Sequence, residues 1–572
     1  MKMAKRIFAA ACALSLACSM AACGSSSSDS SSSKKEAKAM TDDQKEQVNA
    51  LQDKLPDIEL SNKTIKWMAH YDINPSDGKS ESPAISLFQT KYGGKIEYVQ
   101  TTWDNRYTDL AKAVMANDSP DFFPADDMDA FPKGAIKAMF EPIDDVVDFS
   151  SDIWSSSQTL NDSFVFNGKH YVAAIDVRPQ YVCTYNTKTI SDFGYDDPAE
   201  LYANDEWTWS KFTEMCLDFA DSEADRYALD GYWYGKALND TCGYPLIGLE
   251  DGKLVNNMGK AEVGTVQDLM YNLEKNNVVF DRSSNNWKTR GDGANGEGLG
   301  SQLTLFIPIG TWALEDTPEK TKTFGSVKDG EVMFVPMPRM DDSDKYYVST
   351  GVNGYLLCKN APNPDGFNAF VNCCKVANSE VQNITEEQLK NDYGWTDDMI
   401  EMRKTIYDLA RQNPVFDFQD GVSAELSTLM QTVNQATMIT GGGATTWTEC
   451  VAENQKAVDY IIKEANANVT ITKRDLSTAS TKVSLKYGRI PYNTPMSMFA
   501  SDANLVFTDV NGTVLDLKNG TDYTVSVLDP DNKTVTADGS FDKVGPYKVT
   551  LSAKETANPT CYNGQTFDVR VA

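Results

Sequence analysis

The apolar positions change rhythm several times along the chain. Between Ile7 and Leu16 they run almost unbroken behind Lys2, Lys5 and Arg6, too short to span a bilayer and flanked as a signal peptide is. Small residues then lead to Ala21-Ala22-Cys23-Gly24, and Gly24 to Ser33 is glycine, serine and one Asp, the composition of a flexible tether. Thr41 to Leu55 spaces Val48, Leu51 and Leu55 helically and predicts a short lead-in helix. After Lys63, apolar runs alternate with helical spacing. Thr64 to Ala69, Lys95 to Gln100 and the pair Phe122-Phe123 read as strands. Ala84 to Lys91, closed by Gly93-Gly94, and Tyr107 to Asn117 read as the helices between them. That β-α-β-α-β order predicts a parallel sheet with ligands at the strand C-terminal ends, which puts the loops His70 to Ser82 and Pro124 to Phe131 at a site. Helices over Trp209 to Asp218, Val263 to Glu274, Thr385 to Arg411, Ser423 to Thr440 and Thr446 to Ala465 continue the pattern. From about Val469 the period drops to two in runs rich in Val, Thr and Tyr. Asn511-Gly512, Asn519-Gly520 and Asp538-Gly539 punctuate these as turns and predict a β-sandwich over residues 468–572.

Composition narrows the chemistry. A chain of 572 residues predicts about three to four domains. Its net charge of −29 repels phosphate backbones and disfavours nucleic acid as a partner. Two histidines, His70 and His170, leave little for His-based metal sites or a Ser-His-Asp enzyme. Eight cysteines follow Cys23 without a paired CxxC, so zinc is disfavoured, and disulfides compete evenly with buried thiols. No GxSxG, HExxH or Walker sequence occurs. Gly291-Asp-Gly-Ala-Asn-Gly fits GxGxxG but follows no apolar strand, and reads as a loop. Asp72-x-Asn74-x-Ser76 begins like a calcium loop, but Asp77 stands where glycine is needed and Pro83 where the final acid is needed.

Met20-Ala21-Ala22-Cys23 resembles a bacterial lipobox, which implies cleavage after residue 22 and a lipid on Cys23. Five further segments resemble the solute-binding lipoproteins of bacterial ABC importers, in the carbohydrate-type family that includes maltose-binding protein. They are Thr64-Ile-Lys-Trp-Met, Pro120-Asp-Phe-Phe, Glu206-Trp-Thr-Trp-Ser-Lys-Phe, Phe306-Ile-Pro-Ile-Gly-Thr-Trp-Ala, and Phe334-Val-Pro-Met-Pro with Ser349-Thr-Gly-Val-Asn-Gly-Tyr-Leu-Leu. Each is weak alone; their order is specific. The resemblance runs from about residue 60 to 465. It implies an α/β, two-lobed periplasmic-binding-protein-like fold with a hinge: a bilobed domain over 61–467, lobe one about 60–180 and 348–412, lobe two about 181–347 and 413–467. Residues 1–22 are the expected signal peptide and 23–60 the tether with its lead-in helix. The tail, above all Asn519-Gly-Thr-Asp-Tyr-Thr-Val-Ser-Val, resembles bacterial immunoglobulin-like modules.

What the resemblance implies is a monomeric, lipid-anchored protein on the outer face of the cytoplasmic membrane, without cofactor, metal or catalysis, that hands a mono- or oligosaccharide to an ABC permease. Glycan capture without transport is the alternative, and a two-carboxylate glycoside-active enzyme is a more distant one. Sugars need rings for their CH faces and Asp, Asn or Arg for their hydroxyls. Trp67, mid-strand, is expected in the core, and for Trp207 and Trp209 packing competes evenly with a ligand role. Trp312 ends an apolar strand after Gly310, where the family places a ring under the sugar. Trp233 and Tyr234 lie between glycines, and Phe416 and Phe418 near the last return to lobe two. In lobe one the expected contacts are His70, Tyr71 and Asp72 after the first strand and Asp126 and Asp127 after the third. A solvated loop, or an ion site including Asp129, is the competing reading. Asp176 and Arg178 fall where the chain first crosses the hinge. Arg178 either holds a hydroxyl pair or an acidic sugar, or pairs with Asp176.

Overall fold

The computed structural model describes residues 38–75, 79–292, 298–438 and 443–467, and beyond them 474–475, 481–485, 490, 492–500, 505–509, 514–515, 517, 519–520, 523–553, 561–562 and 565–571. The leader, Cys23, the tether, most of the Gly291 loop and the Asn511-Gly512 turn lie outside the described residues. The chain divides into two compact units, residues 1–468 and 469–572.

The first unit is built on two sheets. Its strands are β1 (Thr64–Ala69), β2 (Lys95–Gln100), β3 (Phe122–Pro124), β4 (Val172–Pro179), β5 (Val182–Asn186), β6 (Tyr227–Leu229), β7 (Thr304–Ile309), β8 (Val332–Val335), β9 (Val348–Leu357) and β10 (Pro414–Val415). Sheet one runs β2-β1-β3-β9, with β4 antiparallel to β9 and β10 parallel to its start. Sheet two runs β8-β5-β7-β6. These are the two lobes of a binding-protein-like α/β fold, and the chain passes between them three times. Gln180 and Tyr181 alone join β4 to β5. The stretch from β8 to β9 returns, and residues after β10 cross again to the helices Ala424–Gln435 and Trp447–Asn466.

Local chemistry accounts for the first lobe's elements. β1 pairs with β2 in parallel, Thr64 opposite Lys95 through Ala69 opposite Gln100. Between them the helix Pro83–Tyr92 starts on Ser82, whose hydroxyl accepts from the Ile85 amide. It ends at Gly93 with φ 64°, a left-handed cap that suits glycine. Asp121, 1% exposed, accepts from the backbone N–H groups of Lys66 and Asn363, each at 2.7 Å. It thereby pins β1 to the start of the helix Pro364–Glu380. That helix is absent from the periodicity reading because residues all round it are buried, Phe367, Asn372, Cys374 and Lys375 included. A helix wrapped by core shows no apolar stripe. The long helix expected across Thr385 to Arg411 is two, Gln382–Tyr393 and Asp397–Gln412, parted by Gly394 with φ 78°. The lead-in helix Asp42–Asn49 carries a Thr41–Gln44 capping box, and Gln44 and Gln47 bond Glu387 and Asn383 of the first of those two helices.

In the second unit two antiparallel three-stranded sheets enclose one core. Thr481–Leu485, Leu505–Asp509 and Val514–Leu515 form one, and Tyr523–Leu528, Gly545–Ala553 and Gln565–Val571 the other. Phe507 meets Tyr523 at 4.8 Å between the sheets, with Tyr547 and Phe541 buried beside them.

Candidate functional site

The loops after β1, β2 and β3 form one polar wall. Asp126 follows β3, and its Oδ2 accepts from the Tyr71 hydroxyl at 3.0 Å and from Arg178 Nη1. Its carbonyl accepts from Gln180 Nε2 at 2.9 Å, while its Oδ1 is buried with no partner among the described residues. Three residues on, Asp129 accepts from the Tyr107 hydroxyl and from Arg106 Nη2. Between Asp127 and Asp129, Met128 takes φ 58°, a left-handed conformation that costs an ordinary residue about 1 kcal/mol or more and is characteristic of functional loops. Arg106 lies 3.6 Å from the ring centre of Trp103, which is 44% exposed after β2. His70 is edge-on to Trp103 at 4.9 Å and to Tyr71 at 5.0 Å, and its buried Nδ1 has no partner among the described residues.

The wall's electrostatics follow from burial. The His70 imidazole is pushed below its ordinary pKa by loss of solvent and then by Arg106, which favours its neutral form. Asp127 is pushed up to about 8, first by burial and then by the carboxylates of Asp126 and Asp129 on either side. Burial likewise raises the phenols of Tyr71 and Tyr107, which act as donors.

The facing shelf belongs to sheet two. Trp312 sits on the turn Thr311–Ala313 after β7 and is 54% exposed. Trp233 meets it edge-to-face at 5.9 Å, Tyr181 lies 6.1 Å from Trp233 with planes only 18° apart, and Tyr232 closes the group at 5.6 Å. Gly310 leaves the space that Trp312 occupies: a Cβ there would overlap the indole Nε1 and Cδ1 and stand 3.1 Å from the Gln180 carbonyl. Shelf and wall therefore meet at Gln180-Tyr181. Gln180 holds the Asp126 loop, and Tyr181 stacks in the shelf.

A half-buried polar chain braces the last crossing. Lys236 pairs with Asp420 at 2.7 Å, Ser427 donates to the other Asp420 oxygen at 2.8 Å, and the Lys133 amide donates to the Gly421 carbonyl at 2.6 Å. The Lys133 ammonium lies 4.1 Å from the Tyr107 ring centre and so links this chain to the wall. Nearby, burial raises Asp240 to about 8 and Asp417 to about 6.

Several expected residues are placed elsewhere. Asp72 is exposed and accepts from Asn74's own backbone and side-chain amides, a loop-closing role. Asp176 does not pair with Arg178; it takes the Arg411 guanidinium at 2.7 and 3.1 Å and Asn378 at 3.1 Å. Tyr234 is 2% exposed in the core of sheet two's lobe. Phe418, 2% exposed, packs on Phe131 and Phe164, and Phe416 packs on Phe164 at 5.2 Å, so these rings belong to the core at the crossing. Trp67, Trp207 and Trp209 are buried as well. Trp103, Arg106, Tyr107, Gln180 and Tyr181 were not singled out from sequence. The position of Trp103 in the loop just after a strand of the parallel sheet, where the ligand-facing loops are expected, is the signal that points to it.

Among the described residues, no group of three or more His, Cys, Asp or Glu side chains is placed to hold a metal ion. No described helix is long and apolar enough to cross a membrane. Cys183, Cys216, Cys242, Cys358, Cys373, Cys374 and Cys450 are buried free thiols.

The family described as bacterial extracellular solute-binding protein matches residues 84–385, more than half of the chain. No curated protein sequence matches it. Solved structures similar in fold include a cyclo/maltodextrin-binding protein complexed with maltotetraose (15% identity, TM-score 0.49), covering 71% of this chain and 98% of its own. Another is an extracellular solute-binding protein from Staphylococcus aureus in complex with maltose (10%, 0.49, 71% and 99%). A third is the galacto-N-biose/lacto-N-biose I-binding protein of Bifidobacterium longum (15%, 0.48, 70% and 97%).

Proposed function

The chain belongs to the bacterial extracellular solute-binding proteins, and from that premise we propose that it captures a carbohydrate between its two lobes and delivers it to an ABC permease. The observation that carries the carbohydrate reading is the half-exposed Trp312, held on Trp233 and Tyr181 beside a wall of hydrogen-bonding carboxylate, guanidinium and phenol groups. A flat apolar ring matches a sugar's CH face, and groups of fixed direction match its hydroxyls. Lobe closure over the solute removes it from water, and binding shifts the population toward the closed form only by its differential affinity for that form.

The lipid anchor rests on Met20-Ala-Ala-Cys23 and the serine tether that follows. The ligand set supported by the geometry is His70, Tyr71, Asp126, Asp127, Arg178, Trp233 and Trp312, with Trp103 and Arg106 added and Asp72, Asp176, Tyr234, Phe416 and Phe418 set aside. The tail, which the sequence likens to an immunoglobulin module, is an accessory to capture. The test is thermal melting of residues 41–572 against mono- and oligosaccharides, since a native-state ligand raises the midpoint by mass action. A shift from an intact glycan that Trp312→Ala removes and that persists in residues 41–468 supports the reading. Cleavage of the glycan, or binding indifferent to Trp312, refutes it. Radiolabelled fatty acid incorporated into the wild type and absent from Cys23→Ala tests the anchor.

A further inference from the structure

Resting on the reading that this cleft takes a carbohydrate, we propose that the preferred solute carries a protonated amine, as a glycan with a free amino group does, and that Asp127 receives that ammonium. Three carboxylates stand on the turn after β3, and two already have cations: Asp126 has Arg178 and Asp129 has Arg106. Asp127 makes no hydrogen bond or ion pair among the described residues. Two further polar atoms of the wall, Asp126 Oδ1 and His70 Nδ1, are buried and have no partner either. Buried polar atoms without partners cost free energy until a ligand supplies them. An ammonium supplies three N–H donors and a positive charge for the one carboxyl of the turn that has no cation of its own.

Other solute charges fit less well. A uronic or sialic acid would bring a fourth carboxylate to a wall whose two guanidinium groups are already engaged. A neutral glycan would offer hydrogen bonds but no positive charge to favour the ionised form of Asp127.

The proton balance follows from what faces Asp127: Asp126 and Asp129 on its own turn, Arg106 and Tyr107 from the helix Arg106–Met115, Arg178 from β4, and Tyr71 from the loop after β1. Lys133 stands one residue group further, over the Tyr107 ring. Loss of solvent and the flanking carboxylates raise Asp127 to about 8, so part of the carboxyl carries its proton near neutral pH in the free protein. When R–NH3+ docks, the Asp127 carboxyl gives up its proton to solvent and the carboxylate pairs with the ammonium, so up to one proton is released per solute bound.

Isothermal titration at pH 7, in two buffers of different ionisation enthalpy, tests this with matched sets of glycans: each neutral parent, its N-acetylamino form and its free amino form. The expected result is that within a set that binds, the free amine binds roughly tenfold or more tighter than its parent, with proton release. Asp127→Asn should bring it to the parent's level, and Asp127→Glu should retain the preference. Melting of the unliganded variants confirms that they fold. Equal affinity across a set, or a preference that survives Asp127→Asn, overturns the inference while leaving the carbohydrate reading in place. If no glycan of any set binds, or spermidine alone does, the carbohydrate reading falls and this inference with it.

Discussion

Replacing Gly310 by alanine tests the shelf without touching a ligand-binding side chain. Gly310 has φ −72° and ψ 145°, which alanine adopts without strain. The added methyl, however, would overlap Nε1 and Cδ1 of Trp312, so the indole must leave its place against Trp233. Because Trp312 is 54% exposed, it can swing into water, and the fold should lose no more than about 1 kcal/mol. The solute loses its platform. One face of an indole covers about 60 Å² of a sugar's apolar surface, which at ~25 cal/mol per Å² is about 1.5 kcal/mol, or roughly a twelvefold rise in Kd. Titration calorimetry with a glycan found by melting reads the affinity, and the unliganded midpoint reads the stability. Wild-type affinity in Gly310→Ala would refute the placement of Trp312 under the solute. A large drop in unliganded stability would instead show the space at Gly310 to be a packing requirement.

Three further outcomes follow from the same contacts. Asp126→Ala leaves Arg178 and Tyr71 without their shared acceptor; it should abolish glycan binding and lower stability by about 1–3 kcal/mol in urea titration, while Asp126→Asn costs less. Asp121→Ala strips two buried N–H groups of their acceptor, and a loss of about 2–4 kcal/mol is expected in the same assay, far from the site. Asp240 and Asp417 have folded pKa values raised by burial to about 8 and about 6, against about 3.9 unfolded. The native state therefore binds more protons than the unfolded chain between those values. Their contribution to stability should be greatest below about pH 4 and decline as pH rises from there to about 8, and Asp240→Asn should flatten the upper part of a melting-against-pH curve.

How far the sequence reveals this arrangement depends on whether the determinant is local. The opening strands and helices of lobe one are marked by residues that act over one or two turns: the Ser82 hydroxyl, the Gly93 cap and alternating apolar runs. Trp312 announces itself because Gly310 and an apolar strand precede it directly. The partners of Asp176 do not, since Arg411 arrives from a helix more than two hundred residues away and outcompetes the neighbour two positions along the strand. Phe416 and Phe418 look like free aromatics in a polar stretch, yet the loop that carries them is drawn against Phe131 and Phe164 by the Lys133 to Gly421 hydrogen bond. Arg106 is hidden for a related reason: its role depends on Trp103 below it and Asp129 beside it, which come from separate loops.

The two-residue link Gln180-Tyr181 makes recognition depend on a count. Gln180 reaches one way to the Asp126 loop and Tyr181 the other way to Trp233. Along extended chain, side chains alternate sides. One inserted or deleted residue at this link would therefore reverse which side each of them serves, even with every ligand-touching residue intact. The same bonds lie on the path about which the lobes turn, so any rotation there re-aims the shelf and the wall together. The solute is measured, in effect, by a caliper whose jaws share one pin, and the length of chain at that pin is less free to vary than the identity of either jaw.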